Sequence, residues 1–171
     1  MGVLRRLRAR GTVIRPAHAS DSVLVAAVYV RSWRAEYRDL LPPQALATLD
    51  EQEWAARFRS QPNPGRSTLV AVQRRRTVGM VSFGPDRDDA IFGEIYAIYV
   101  LPAIQRMGVG RRLMDSALAR MDARNVRLWC AVANNTTREF YERFGFVLDG
   151  AVGTYDICDV SVPTVRYTLF R

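Results

Sequence analysis

Gln105-Arg106-Met107-Gly108-Val109-Gly110, the run Q-R-M-G-V-G, stands between a β-rich segment and an amphipathic one, and that context decides how it is read. Upstream, Phe92 to Leu101 (F-G-E-I-Y-A-I-Y-V-L) is β-branched and aromatic, which predicts a strand ended by Pro102. Downstream, Val109, Leu113, Met114, Ala117, Leu118 and Met121 fall on one helical stripe. Glycines at such a junction let the backbone approach a ligand closely. The unpaired N–H groups of the first helical turn then favour an anion, helped by the helix dipole. Successive N–H groups form a concave nest that suits a pyrophosphate. A tight turn without a ligand is the simpler alternative. Two other phosphate motifs are excluded: a P-loop needs a lysine, which the chain lacks, and a dinucleotide fingerprint needs a third glycine where Leu113 stands.

Outward from this junction, the pattern alternates between the two periods. Towards the N-terminus, Thr12 to Arg15 reads as a strand closed by Pro16, and Asp21 to Tyr37 has a helical period. A looser helical pattern covers residues 44–58. Ser67 to Gln73 and Thr77 to Phe83 read as a hairpin around Arg74-Arg75-Arg76. Towards the C-terminus come a strand from Arg127 to Ala133 and a helix opened by a capping box at Thr136-Thr137-Arg138-Glu139. That helix stops at Gly145, and strands follow at Phe146 to Gly150 and Val162 to Phe170. The order β-α-α-β-β-β-α-β-α-β-β predicts an α/β protein with a mixed sheet and helices on its faces. Residues 1–11 read as a basic N-terminal extension and residues 12–171 as a single domain.

The second informative stretch is Asn134 to Phe146, N-N-T-T-R-E-F-Y-E-R-F-G-F, by itself an amphipathic helix with a glycine stop. Taken with Gln105, Gly108 and Gly110, it resembles the GNAT superfamily of N-acetyltransferases. That family's signature loop is glutamine or arginine, two residues, glycine, one residue, then glycine or alanine. The resemblance is sharp from Glu94 to Phe146 and follows the element order from Thr12 to Arg171. It implies the family's fold: a central mixed sheet splayed between two parallel strands and flanked by about four helices. It also implies acetyl-coenzyme A as co-substrate. Backbone groups of Ile98, Tyr99 and Val100 would pair with the pantetheine arm, and the loop Gln105, Arg106, Met107, Gly108, Val109, Gly110 and Arg111 would hold the pyrophosphate. Asn134 would bond the pantetheine side, and Tyr141 would sit near the sulfur.

A tyrosine hydroxyl, with pKa near 10, is protonated at pH 7 and can donate to a departing thiolate. The incoming ammonium must lose a proton, and Glu94 is the preferred base, directly or through water. It is a carboxylate placed mid-sheet, where burial makes it a better proton acceptor. It also precedes Gln105 by eleven positions, as the catalytic glutamate does in the histone-acetylating branch of the family. Its alternatives are binding a cationic substrate or pairing with an arginine. The acceptor would meet the loop between the first two helices and the last hairpin. Trp33, Tyr37, Glu94 and Asp156 are the candidate substrate contacts.

Composition bounds the remainder. The net charge is +8, and all 25 basic residues are arginines, so an anionic partner or a compositional habit of the genome explains the charge. Without lysine the chain cannot acetylate itself on a lysine side chain. The arginines match no nucleic-acid-reading motif, so no specific nucleic acid is expected. The longest apolar run is far short of a membrane span, and no export signal is present, so the expectation is a cytoplasmic protein without a membrane partner. One histidine and two cysteines do not make a zinc set, and Cys130 and Cys158 read as free thiols. The resulting expectation is an acetyltransferase acting on a small-molecule amine or a peptide N-terminus, with a homodimer left open. A coenzyme-holding sensor of the same fold is the alternative, and retention of Glu94 and Tyr141 favours turnover.

Overall fold

Among the described residues, seven strands join edge to edge in a single sheet. The computed structural model describes residues 11–60, 65–157 and 160–171. Most of the basic extension therefore lies outside the described residues, as does Cys158. The strands are β1 (Thr12–Pro16), β2 (Ser67–Gln73), β3 (Arg76–Pro85), β4 (Gly93–Val100), β5 (Asn125–Ala131), β6 (Val147–Ile157) and β7 (Val160–Phe170), and their order across the sheet is β1-β2-β3-β4-β5-β7-β6. Five α-helices accompany them among the described residues: α1 (Ser22–Glu36), α2 (Pro43–Ala47), α3 (Glu51–Ser60), α4 (Val109–Leu118) and α5 (Asn135–Glu142).

Every strand pairing is antiparallel except β4 with β5. That parallel pairing is brief. It joins Gly93 to Val126, Glu94 to Arg127 and Ile95 to Leu128, and from Tyr96 onward β4 has no strand partner on this side among the described residues. The sheet thus splits, as the family resemblance implies. On its other edge β4 follows β3 through a bulge: Ser82 faces Ala97 and Phe83 faces Ile95, leaving Tyr96 as the extra residue. The bulge reverses the alternation of side chains. Ile95, Ile98 and Val100 therefore pack with Leu113, Met114 and Ala117 of α4, whereas Ala97 and Tyr99 pack towards α1.

Leu113, Met114 and Ala117 are fully buried, and each large apolar side chain so placed contributes roughly 1.5–3 kcal/mol. On the opposite face α1 covers β3 and β4 with Val25, Val28, Tyr29 and Trp33. Arg15 of β1 clamps Asp21 in a bidentate pair at 2.7 and 2.9 Å, which ties the start of α1 to the sheet. This partner holds the Asp21 carboxyl down at about 2.

Three expectations from patterning are corrected. Residues 44–58 form two helices, because Asp50 accepts hydrogen bonds from the backbone of Gln52 and Glu53 and so caps a fresh helix. The helix expected to start at a Thr136 capping box is capped by Asn134, whose Oδ1 accepts from the Thr137 amide at 3.1 Å. Gly150 does not end a strand. At φ +88° it lies within an irregularity of β6, which continues to Ile157 and closes a hairpin with β7.

Candidate active site

The loop after β4 is shaped by backbone conformations few residues adopt. Pro102–Ile104 form one 3-10 turn, and Gln105 donates its Nε2 to the Val100 carbonyl at 3.1 Å, fastening the loop to the strand end. Arg106 (φ 59°) and Gly108 (φ 87°, ψ 0°) both sit in the left-handed region, and Gly108 is the N-cap of α4. The Gly108 carbonyl accepts the Arg112 amide at 3.2 Å, which starts the helix. Among the described residues, the amides of Arg106, Met107, Gly108, Val109, Gly110 and Arg111 donate to no protein acceptor. These are consecutive unsatisfied donors at a helix N-terminus, an arrangement that stabilises bound anions. The Val109 side chain is buried in the core and fixes the first turn, while Arg111 is exposed beside Asp115.

Next to this loop lies the split. Ile98, Tyr99 and Val100 carry backbone groups on the edge of β4 that β5 has left, so an extended chain could add there as a strand does. Tyr141 of α5 is 6% exposed and rests against Phe140, Phe146 and Tyr167. Burial, followed by Cys130, Glu36 and Tyr37, pushes its phenol well above the usual range, so it stays protonated. The Cys130 thiol is likewise pushed up to about 12, chiefly by burial.

Asn134 is already engaged. Besides capping α5, its Nδ2 donates to Oε1 of Glu36, which also accepts from Thr137 Oγ1 at 3.1 Å. Glu36 was not foreseen from sequence. Burial pushes its carboxyl up, against the opposing pull of the bonds from Thr137 and Asn134. One signal was legible: a carboxylate in the last turn of a helix opposes the helix dipole. Such a position suggests a partner elsewhere in the fold.

On the α1 face of the sheet opens a cavity of about 830 Å³. Trp33, Tyr37, Glu94 and Tyr99 all line it, whereas Asp156, exposed on β6, does not; none of residues 105–111 does either. Trp33 is both helix core, 3% exposed, and cavity wall. It stacks on Tyr29 at 5.1 Å and donates Nε1 to the Tyr99 hydroxyl. Glu94 is 2% exposed and gripped by Arg87, which donates Nε to Oε2 at 3.0 Å and Nη2 to Oε1 at 2.5 Å. The Arg87 amide adds a bond at 3.2 Å. In this structure the carboxylate is thus arginine-paired, the arrangement named among its alternatives from sequence.

The sheet thus splits after Ile95, and a loop turned by the left-handed Gly108 lies beside the split. The model described as the acetyltransferase (GNAT) family matches residues 27–146. The chain belongs to the GNAT family. A probable N-acetyltransferase of Mycobacterium tuberculosis is 34% identical over 162 residues, covering 92% of this chain and 93% of the relative. An uncharacterised N-acetyltransferase of Bacillus subtilis is 36% identical over 104 residues, 59% of each protein. Among solved structures, the PaiA N-acetyltransferase of Thermoplasma acidophilum, in complex with coenzyme A, shares the fold. It has a TM-score of 0.72 at 19% identity, over 91% of this chain and 97% of that one. A GCN5-related N-acetyltransferase of Rhodopseudomonas palustris is 27% identical, with a TM-score of 0.70 over 91% and 93%. As a GNAT protein the chain is an acetyltransferase. No helix among its described residues is long and apolar enough to cross a membrane.

Proposed function

We propose that the chain transfers the acetyl group of acetyl-coenzyme A to the primary amine of a small molecule or peptide N-terminus, by direct attack in a ternary complex. The observation that carries this is the run of six uncommitted amides from Arg106 to Arg111, next to the unpaired edge of β4. The residues fit the coenzyme: donors at a helix N-terminus suit its pyrophosphate, and the free strand edge suits its amide-bearing arm. When bound, the coenzyme supplies an activated thioester.

The chain's own groups do the rest. Tyr141, protonated by virtue of its burial, donates to the sulfur as it leaves. Glu94 accepts the proton of the ammonium, directly or through water, while Arg87 holds the carboxylate in place at the cavity wall. Asn134, poised between Glu36 and the α5 cap, is the group that meets the pantetheine side. Most of the acceleration comes from holding amine and thioester together, with backbone donors polarising the carbonyl.

Calorimetric titration with coenzyme A, followed by thiol release from acetyl-coenzyme A over a panel of amines and peptides, tests this. Uptake with turnover is expected. Uptake without turnover on any amine would favour a coenzyme-holding sensor, and no uptake by folded protein would remove the assignment of residues 105–111.

A further inference from the structure

The charges on the cavity wall are unevenly compensated. Among the described residues, three guanidiniums, of Arg57, Arg66 and Arg87, line it against the single carboxylate of Glu94. Arg57 is paired with Glu53 at 2.6 Å and Arg87 with Glu94 at 2.5 Å. Arg66 forms no ion pair with any described residue. It is nonetheless fixed: its Nε donates to Oγ of the fully buried Ser82 at 2.7 Å, and its guanidinium lies over the Tyr96 ring at 5.0 Å. The two terminal nitrogens therefore remain as a fork with no protein acceptor among the described residues, on the wall of a cavity otherwise rich in aromatic rings. A guanidinium fork matches a carboxylate in shape and charge.

The same wall disfavours polycations, since polyamine-like or aminoglycoside-like acceptors would place several positive charges against an excess of arginines. Between the strands and α1 the cavity is walled by the rings of Tyr29, Trp33, Trp54, Phe58 and Tyr99, which suit an aromatic or apolar body.

We propose that Arg66 makes this cavity selective for primary amines that also carry a carboxylate at the far end of an aromatic or apolar body. The proposal rests on the acetyl-transfer function of the same site, and its test separates the two. 4-(Aminomethyl)benzoate, the matching benzamide and spermidine serve as probes. Binding is followed by quenching of the three tryptophans, all of which line the cavity, and turnover by thiol release. The carboxylate is expected to exceed the amide by about tenfold or more in affinity and in kcat/KM, the scale of one charge-assisted hydrogen bond, and to exceed spermidine. In Arg66→Met the carboxylate-to-amide ratio falls towards one, and in Arg66→Lys it is intermediate. Equal affinities in the wild type, no binding of the carboxylate, tighter spermidine binding, or a ratio that survives Arg66→Met would each overturn the proposal. Thiol release absent with every amine counts against acetyl transfer instead, and the binding ratio still decides the role of Arg66.

Discussion

Alanine at Gly108 and alanine at Gly110 should have opposite effects, although the two glycines belong to one short loop. Gly108 holds φ 87° and ψ 0° as the N-cap of α4. A side chain in the left-handed region costs roughly 1–2 kcal/mol, partly offset by about 0.4–1 kcal/mol from restricting the unfolded chain. The net loss, up to about 1.6 kcal/mol, corresponds to a fall in Tm of up to roughly 6 °C for a protein of this length. Gly110 has no positive φ, and an added Cβ would meet the Phe140 ring at 3.6 Å and Val100 at 3.8 Å, ordinary contact distances. Inside a helix the same substitution gains up to about 1 kcal/mol, so Tm should stay level or rise. Thermal unfolding with and without coenzyme A gives both readouts. At a hundredfold excess over Kd, the ligand should add about 2.7 kcal/mol to the wild type, roughly 5–11 °C. Gly110→Ala should keep most of that gain, and Gly108→Ala should lose part of it as the amides turn away. Equal melting temperatures and equal coenzyme gains in the two variants would refute the reasoning.

Glu94→Gln should lower kcat by about 10²-fold and alter the acid limb of the pH–rate profile; an unchanged profile removes Glu94 from proton transfer. Tyr141→Phe should reduce kcat while coenzyme affinity, read by calorimetry, holds; wild-type turnover would show that the hydroxyl is idle. For Glu36 the sign is fixed by its upward shift: ionisation is harder in the folded state, so stability falls as pH rises through the range between its unfolded and folded values. Glu36→Gln removes that dependence, so its Tm relative to the wild type should improve from pH 4 to pH 8. A difference independent of pH would contradict the burial assigned to this carboxylate.

Elements with strong local signals are legible in the sequence itself. The amphipathic stripe of α4, the β-branched run of β4 and the loop between them follow from periodicity and from glycines whose backbone demands are local. The hairpin at Arg74 and Arg75 was legible from its charged turn, although its left-handed backbone at two arginines was not. What escaped depends on contacts distant in sequence. Asn134 outcompetes Thr136 as a cap partly because Glu36, some hundred residues earlier, holds its amide. Glu36 itself has meaning only once α1 is laid against α5. Arg87 stands in a turn-rich loop with acidic neighbours, and nothing in that pattern shows its grip on Glu94.

The single extra residue at Tyr96 explains why one strand can serve both halves of the site. In a regular strand Glu94, Tyr96, Ile98 and Val100 would share a face, and the carboxylate would lie on the same side as α4. The bulge places Glu94, Ala97 and Tyr99 together on the cavity wall, while Ile98 and Val100 turn to the core under α4. Pairing with β5 ends at Ile95, immediately before the bulge, so the change of face and the opening of the sheet fall at the same point. An amine in the cavity and a thioester in the split would then approach one another across β4 rather than along it. That arrangement would suit the proposed direct transfer, and Arg66, whose guanidinium lies over the bulged Tyr96, stands on the wall of the same cavity.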